Sequence, residues 1–307
     1  MPVTYTAADV ASADRTLAAA DKCMLGSLAL STSLVVASEW RTGGSFAAGA
    51  DATDANYQAR RAYDGFTDLA TRPNAAGVTW YYMIDASTAG VTFDGAMILG
   101  HNFGTIGGLT VTLQISDSST FVTNLIDIAV WTPGTSNVRL VDLVLESGGE
   151  TAQRYSTVPY VRLKITGTSG VPEIGELVLF KRMQLQYKPS IPYDDQKLWQ
   201  NSGQFLSASG VRQDYVRSRA GRRLEASLTV TSTAKIAEVR TWFDDTQQGT
   251  RPFVWSENPN SAPSTQTFLM SLDGENKELA FDEVGPNHRE LVLGATEQGP
   301  DYQKLEA

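Results

Sequence analysis

Residues 109–115, Leu109-Thr110-Val111-Thr112-Leu113-Gln114-Ile115, alternate apolar and polar side chains without a break. A period of two puts Leu109, Val111, Leu113 and Ile115 on one face of an extended chain and the polar three on the other, the pattern of a strand with one buried face. Tyr160–Thr166 repeats it, with Val161, Leu163 and Ile165 set against Arg162 and Lys164. Met97–Leu99, Val138–Leu145 and Ile174–Phe180 are more continuously apolar, as strands covered on both faces are. Turn residues stand between these segments: Gly107-Gly108, Asp117-Ser118, Pro133-Gly134, Gly148-Gly149 and Gly167–Gly170. Short strands separated by turns predict an antiparallel sandwich or barrel.

Working outward, residues 4–22 read as a short Ala-rich helix, and the strand pattern begins at Met24, so 1–23 form an N-terminal arm. Pro189, Pro192 and the polar run Tyr193–Gln196 interrupt the pattern after Phe180. A boundary there gives one domain over 24–188 and a second over 189–307. In the second, strands are expected at Leu224–Val230, Phe253–Trp255, Thr267–Leu272, Lys277–Phe281 and Arg289–Leu293. One helix is expected over Ala234–Gln248, with Ser232 or Thr233 as N-cap, Ile236, Val239 and Phe243 as its apolar stripe and Gly249 as its stop. Trp242 is turned about 100° from that stripe. That places it at the boundary of the buried face, where a partner subunit would cover it; the plain alternative is that both aromatics are core.

The 307 residues are 42% hydrophobic and 19% charged, which excludes a disordered chain, and 26 glycines suit many turns. The net charge is -9, with 13 basic and 17 acidic residues in 1–188 and 12 and 17 in 189–307. Neither part is basic, and nucleic acid is not an expected partner. The run Arg212, Arg217, Arg219, Arg222 and Arg223 is broken by Asp214 and closed by Glu225, and reads as a solvated face or a subunit contact. The single cysteine, Cys23, excludes an intrachain disulfide and behaves as a small buried hydrophobe. Asp9 and Asp14 stand where an export signal needs positive charge, and Met24–Ala37 is too short and polar to span a bilayer.

Catalytic chemistry finds little purchase. His101 and His288 fall in different domains, with no cluster of metal-ligating residues and no nucleophile elbow. The stretch Gly100–Gly108 leads into a strand, not a helix, so a phosphate cradle is not expected. Asp194-Asp195 and Asp244-Asp245 are adjacent acids of the surface kind, whereas glycosidases hold two carboxyls about 5–9.5 Å apart across a cleft. No enzyme, cofactor or metal is expected. Trp40, Trp80, Tyr81, Tyr82, Trp131 and Tyr160 offer faces on which a sugar would stack, with Asn102 or Arg61 for its hydroxyls; as core aromatics they would instead supply buried area.

The order of several motifs carries a resemblance. Asp64-Gly65 closes Asn56–Gly65, then follow Trp80 with Asp85, a strand ending at Ser116, Tyr160–Leu163, and a final strand led by Glu176. Over roughly 30–182 this resembles the discoidin, or coagulation-factor type C, family of galactose-binding-like jelly rolls. The resemblance implies an eight-stranded jelly roll that binds carbohydrate through loops at one end. It also implies a structural calcium at Asp64 and Glu176, but Phe66 stands where the family has Asn or Asp. The second domain is similar to tail-tip and distal-tail proteins of tailed bacteriophages, through Gly249, Pro252, Phe253, Trp255, Phe268 and Leu269.

The expectation is a mainly β chain: an antiparallel jelly-roll sandwich followed by a smaller β-barrel or sandwich with one flanking helix. Its expected role is structural, in a phage tail, tail tip or baseplate, assembled in the host cytoplasm as a homo-oligomeric ring with other tail proteins. Trp242 would lie at the interface, and the jelly roll would project to decorate the tail or bind a host glycan. The alternative is a free carbohydrate-binding module; a polysaccharide-degrading enzyme ranks third. Since Phe66 breaks the ligand set, chelation with EDTA is expected to leave the melting temperature unchanged; a large drop reversed by calcium would restore Asp64 and Glu176 as ligands.

Overall fold

The alternating segments pair with one another. In the computed structural model, which describes residues 23–64, 69–135, 139–142, 155–167, 169–185, 190–199, 202–206, 212–216, 220–230, 233–257, 266–273, 282–285 and 288–298, the strands run in chain order as follows. The first part holds β1 (Met24–Leu28), β2 (Ala37–Arg41), β3 (Thr79–Asp85), β4 (Val91–Phe93), β5 (Gly95–Leu99), β6 (Thr110–Ser116), β7 (Ile126–Trp131), β8 (Leu140–Asp142), β9 (Tyr155–Val158), β10 (Tyr160–Thr166) and β11 (Glu176–Gln184). After it come β12 (Ser190–Trp199), β13 (Ser202–Leu206), β14 (Arg212–Val216), β15 (Ala220–Val230), β16 (Phe253–Ser256), β17 (Thr267–Leu272), β18 (Asp282–Gly285) and β19 (His288–Glu297). The helices are α1 (Phe103–Ile106) and α2 (Thr233–Asp245), with a 3-10 turn over Ala59–Tyr63.

β10 lies antiparallel between β3 and β6, with Leu163 opposite both Tyr82 and Leu113. β2 and β7 complete a five-stranded sheet, β2-β3-β10-β6-β7. Its inward side chains, among them Trp80, Tyr82, Ile84, Val111, Leu113, Val161, Leu163 and Ile165, meet Ala96, Ile98, Leu177 and Leu179 of β5 and β11 in one buried core. This is the expected antiparallel sandwich.

The second sheet does not stop at the sandwich. β1 pairs with β11 on one side and with β16 on the other, so the order runs β12-β15-β19-β17-β16-β1-β11-β5-β8, with β18 added beside β19. The boundary read at residue 189 thus falls between two strands of one sheet. α2 covers the extension. Its Ile236, Val239, Trp242 and Phe243 pack on Leu25, Met183, Phe253, Trp255, Phe268 and Leu291. On the opposite face Met24, Met97, Val178, Phe180, Val254 and Leu269 are buried as well. β1 therefore has apolar residues on both faces, which explains its unbroken Met24-Leu25 start. Phe180 fits because Gly26 and Gly95 flank it; a Cβ on either would run into its ring.

Two buried ion pairs join segments of this long sheet. Arg182 Nε lies 3.6 Å from Asp94 Oδ1, and Arg139 Nη2 lies 3.4 Å from Glu297 Oε1. Arg139, just before β8, also donates to the Thr267 carbonyl at the start of β17 at 2.7 Å.

Several expectations change in detail. α2 ends at Asp245, not Gln248, because the Thr246 hydroxyl donates to the Phe243 carbonyl at 2.7 Å and the chain then turns left-handed through Gln247, Gln248 and Gly249. Trp242 is not at the boundary of the buried face. It is 3% exposed, in the same cluster as Ile236, Val239 and Phe243, with its ring edge-on to Phe253 at 5.2 Å. Gly100–Gly108 contains the single helical turn α1 before β6 begins. Of Val138–Leu145, only Leu140–Asp142 is described as strand. The expected helix over 4–22 and strand over Lys277–Phe281 lie outside the described residues. Among the described residues no helix is long and apolar enough to cross a membrane.

Two outcomes follow from β1's double pairing and from α2's burial. Cleavage at a protease site inserted within 186–189 should leave both fragments co-eluting on gel filtration without denaturant. Trp242→Ala should lower single-chain stability by about 3–5 kcal/mol in a urea titration, and a loss under 1 kcal/mol would show that the indole is not core.

Candidate functional site

The strand directions gather loops at one end of the sandwich. Thr79, Thr110 and Thr166 are in register at that end, and Glu176 pairs with Leu99 there. The chain between β2 and β3, the α1 loop and the turn before β11 all emerge side by side.

These loops are stapled together. Thr71 and Ile174 exchange backbone hydrogen bonds of 2.7 and 3.0 Å. The Thr71 hydroxyl accepts from Trp40 Nε1 at 2.9 Å and donates to the Tyr57 carbonyl at 3.1 Å. Asn102 donates through Nδ2 to the Val171 carbonyl at 3.0 Å and accepts from the Glu173 N–H at 2.8 Å. A loop held at this many points keeps its side chains in place before any ligand arrives.

Arg72 stands at the centre. Its Nε donates to Asp54 Oδ2 at 3.1 Å and its Nη1 to Glu173 Oε1 at 3.0 Å. The guanidinium carbon sits 3.7 Å from the centroid of the Tyr57 ring, with Arg61 5.8 Å from the same ring. The Asn56 N–H lowers the Asp54 carboxyl below its ordinary value; partial burial opposes this and the Arg72 guanidinium adds to it. No described residue bonds Arg72 Nη2 or Glu173 Oε2. That leaves a donor on one and an acceptor on the other of two ion-paired, partly exposed groups.

The aromatic candidates divide. Trp40, Trp80 and Tyr82 are core, and Trp131 is nearly so. Tyr81 and Tyr160 are half-buried on the outer face of the five-stranded sheet. There Arg162 lies 4.9 Å from the Tyr81 ring and 4.4 Å from that of Phe121, donates to Gln114 at 2.7 Å and also to the Gly44 carbonyl. Phe46 and Phe121 close over Tyr160. This roof is packing, not an open platform. Asn102 and Arg61 do sit beside the Arg72 cluster, Asn102 as a positioning group.

His101 is buried and stacked on Phe103 at 4.6 Å; His288 opens β19, on another part of the fold. Asp245 meets Lys181 at 3.3 Å, and Asp244 is exposed. Asp64 and Glu176 come into one neighbourhood: burial raises the Tyr82 phenol well above its ordinary value, and the Tyr63 phenol and then the Glu176 and Asp64 charges add to this. Among the described residues no third metal ligand joins them, and Arg251 lies within electrostatic reach of Glu176. Phe66 lies outside the described residues.

Sequence reading missed Asp54, Tyr57, Arg72 and Glu173 as a unit. Their separation along the chain carries no spacing signal, and the Thr71–Ile174 bridge together with Asn102 brings Glu173 to Arg72.

No family model and no curated protein matches the chain. Among solved structures, it is similar to a mutant of chitosan-binding module 1 from a chitosanase/glucanase of Paenibacillus sp. IK-5, at 18% identity and a TM-score of 0.35, over 50% of this chain and 98% of that one. It is similar to the F5/8 type C domain of a Bacteroides fragilis protein at 16% identity and a TM-score of 0.34, over 52% and 97% of the two chains. It is also similar to the CBM32 of AlyQ, solved with 4,5-unsaturated mannuronic acid, at 17% identity and a TM-score of 0.30, over 48% and 95%.

Proposed function

We propose that this chain is a non-catalytic carbohydrate-binding protein whose site is the Arg72 cluster at the loop end of the sandwich. The observation that carries the reading is Arg72, stacked on Tyr57 and clamped between Asp54 and Glu173, with Nη2 and Glu173 Oε2 left to a ligand. A hydroxyl accepts from Nη2 while its neighbour donates to Oε2, so a vicinal diol satisfies both. Charged side chains already oriented by their own hydrogen bonds need little ordering on binding.

A glycan array identifies the sugar, and titration calorimetry then compares variants. Arg72→Ala should weaken binding at least tenfold with an unchanged melting temperature; unchanged affinity would overturn the placement. Asp54 is ionised at neutral pH and its folded value is lowered, so its hold on Arg72 is present above the ordinary value of 3.8 and is lost as pH falls through the lowered one. Affinity should therefore be level from pH 7 to 5 and fall only below about pH 4.

A second reading concerns the setting: a structural component of a tailed-phage virion, assembled as a ring and carrying this site outward. It is supported by the ribbon of β12–β15. β13 and β14 pair only with each other among the described residues, and β15 gains its second neighbour, β19, from Arg223 onward. An isolated two-stranded ribbon is marginal in water and leaves edges open to strand addition by a neighbouring subunit. Trp242 would contribute only through the groove of about 340 Å³ that it lines between α2 and β11. Sedimentation of the purified chain as a stable monomer would count against this setting.

A further inference from the structure

A second cavity, of about 350 Å³, opens where the sandwich meets the C-terminal layer. Its sandwich wall holds Ser31, Thr32, Tyr63 and Asp64; its C-terminal wall holds Thr250 and Arg251. That volume lies at the small end of ligand pockets, about 300–1,000 Å³. We propose that this junction cavity is a separate subsite for one neutral sugar ring, built jointly by the two parts of the chain; the proposal rests on the carbohydrate reading above.

The chemistry of the walls selects the ligand. Arg251 donates through Nη2 to the Leu30 carbonyl at 2.5 Å, and the Asp245 and Glu176 carboxylates act on its charge. An anion would find that charge already compensated. A divalent cation would meet a guanidinium beside a single wall carboxylate. Four hydroxyls, those of Ser31, Thr32, Thr250 and Ser271, with a carboxylate and a half-buried phenol instead give mixed donors and acceptors around an aromatic surface, which suits a neutral polyol.

The turn that presents Thr250 and Arg251 is itself unusual. Gln247 and Gln248 have φ of 52° and 56°, followed by Gly249 at 76°. Glutamine seldom adopts this left-handed region, and such strain gathers where a loop must present side chains to a ligand. The turn is held from within: Arg251 N–H donates to the Thr246 carbonyl at 3.0 Å, and Thr250 Oγ1 to the Gln247 carbonyl at 2.8 Å. The Tyr63 hydroxyl is bonded to Ser38 Oγ at 2.9 Å, which fixes the ring on the facing wall. The cavity lies at the far end of the Ala59–Tyr63 turn from Tyr57, so it is distinct from the Arg72 cluster.

Titration calorimetry on the full chain with glucose, galactose and N-acetylglucosamine tests this. Thr250→Trp and Thr32→Trp fill the cavity from opposite walls at exposed positions, so a folding defect in one does not decide the result. Wild type should bind two sugars per chain. Each tryptophan variant should bind one with affinity unchanged within twofold, and Arg72→Ala should likewise retain one. If both tryptophan variants are folded and keep the wild-type stoichiometry, the junction subsite is overturned while the Arg72 reading stands. If the tryptophan variants lose binding that Arg72→Ala keeps, the cavity stands and the Arg72 placement falls. No heat with any of the three sugars in wild type overturns the subsite, and the glycan array then decides the Arg72 reading on its own.

Discussion

The pairing of β1 with both β11 and β16 is the constraint on which the rest of the molecule depends. A strand of five residues that satisfies backbone groups on both edges and buries side chains on both faces cannot be withdrawn without exposing two cores at once. The sandwich core, the α2 layer and the opposite face of the sheet all draw on β1 or its neighbour β11. Gly26 and Gly95 are the local condition for this arrangement, because the Phe180 ring occupies the space a side chain on either would take.

That continuity also positions chemistry. Arg251, three residues before β16 reaches Val254, is carried to the Leu30 carbonyl and to the electrostatic reach of Glu176 at the head of β11. The loop end of the sandwich is therefore walled on one side by the C-terminal layer. The Arg72 cluster lies on the other side of the Ala59–Tyr63 turn, with Arg72 side-chain exposure of 31%. One end of one sandwich thus presents two environments: an ion network with partial access to water, and a cavity between layers.

Charge burial follows the same division. Arg182 with Asp94 and Arg139 with Glu297 are almost wholly buried, and removing one partner of such a pair is strongly destabilising, about 3–5 kcal/mol. Asp54, Arg72 and Glu173 keep access to water, where an ion network adds little stability. The first pairs hold segments of the long sheet to one another. The second set keeps part of its polar surface open to solvent.

The sequence by itself determined the strands whose alternation is strict: Leu109–Ile115 and Tyr160–Thr166 lie side by side as β6 and β10 with their apolar faces inward. It also determined the stripe of Ile236, Val239 and Phe243, since periodicity is a local property of the chain. Tertiary structure alone decided three things. It joined the two parts into one sheet, because strand partners are chosen by long-range edge pairing that no local pattern encodes. It buried Trp242, because Phe253 of β16 meets the indole beside the stripe, a contact that helical periodicity alone does not encode. And it assembled Asp54, Tyr57, Arg72 and Glu173: the Thr53–Pro73 bridge and the Asp54 N–H to Arg72 carbonyl bond set Asp54 beside Arg72, and the Thr71–Ile174 bridge adds Glu173 from a hundred positions away.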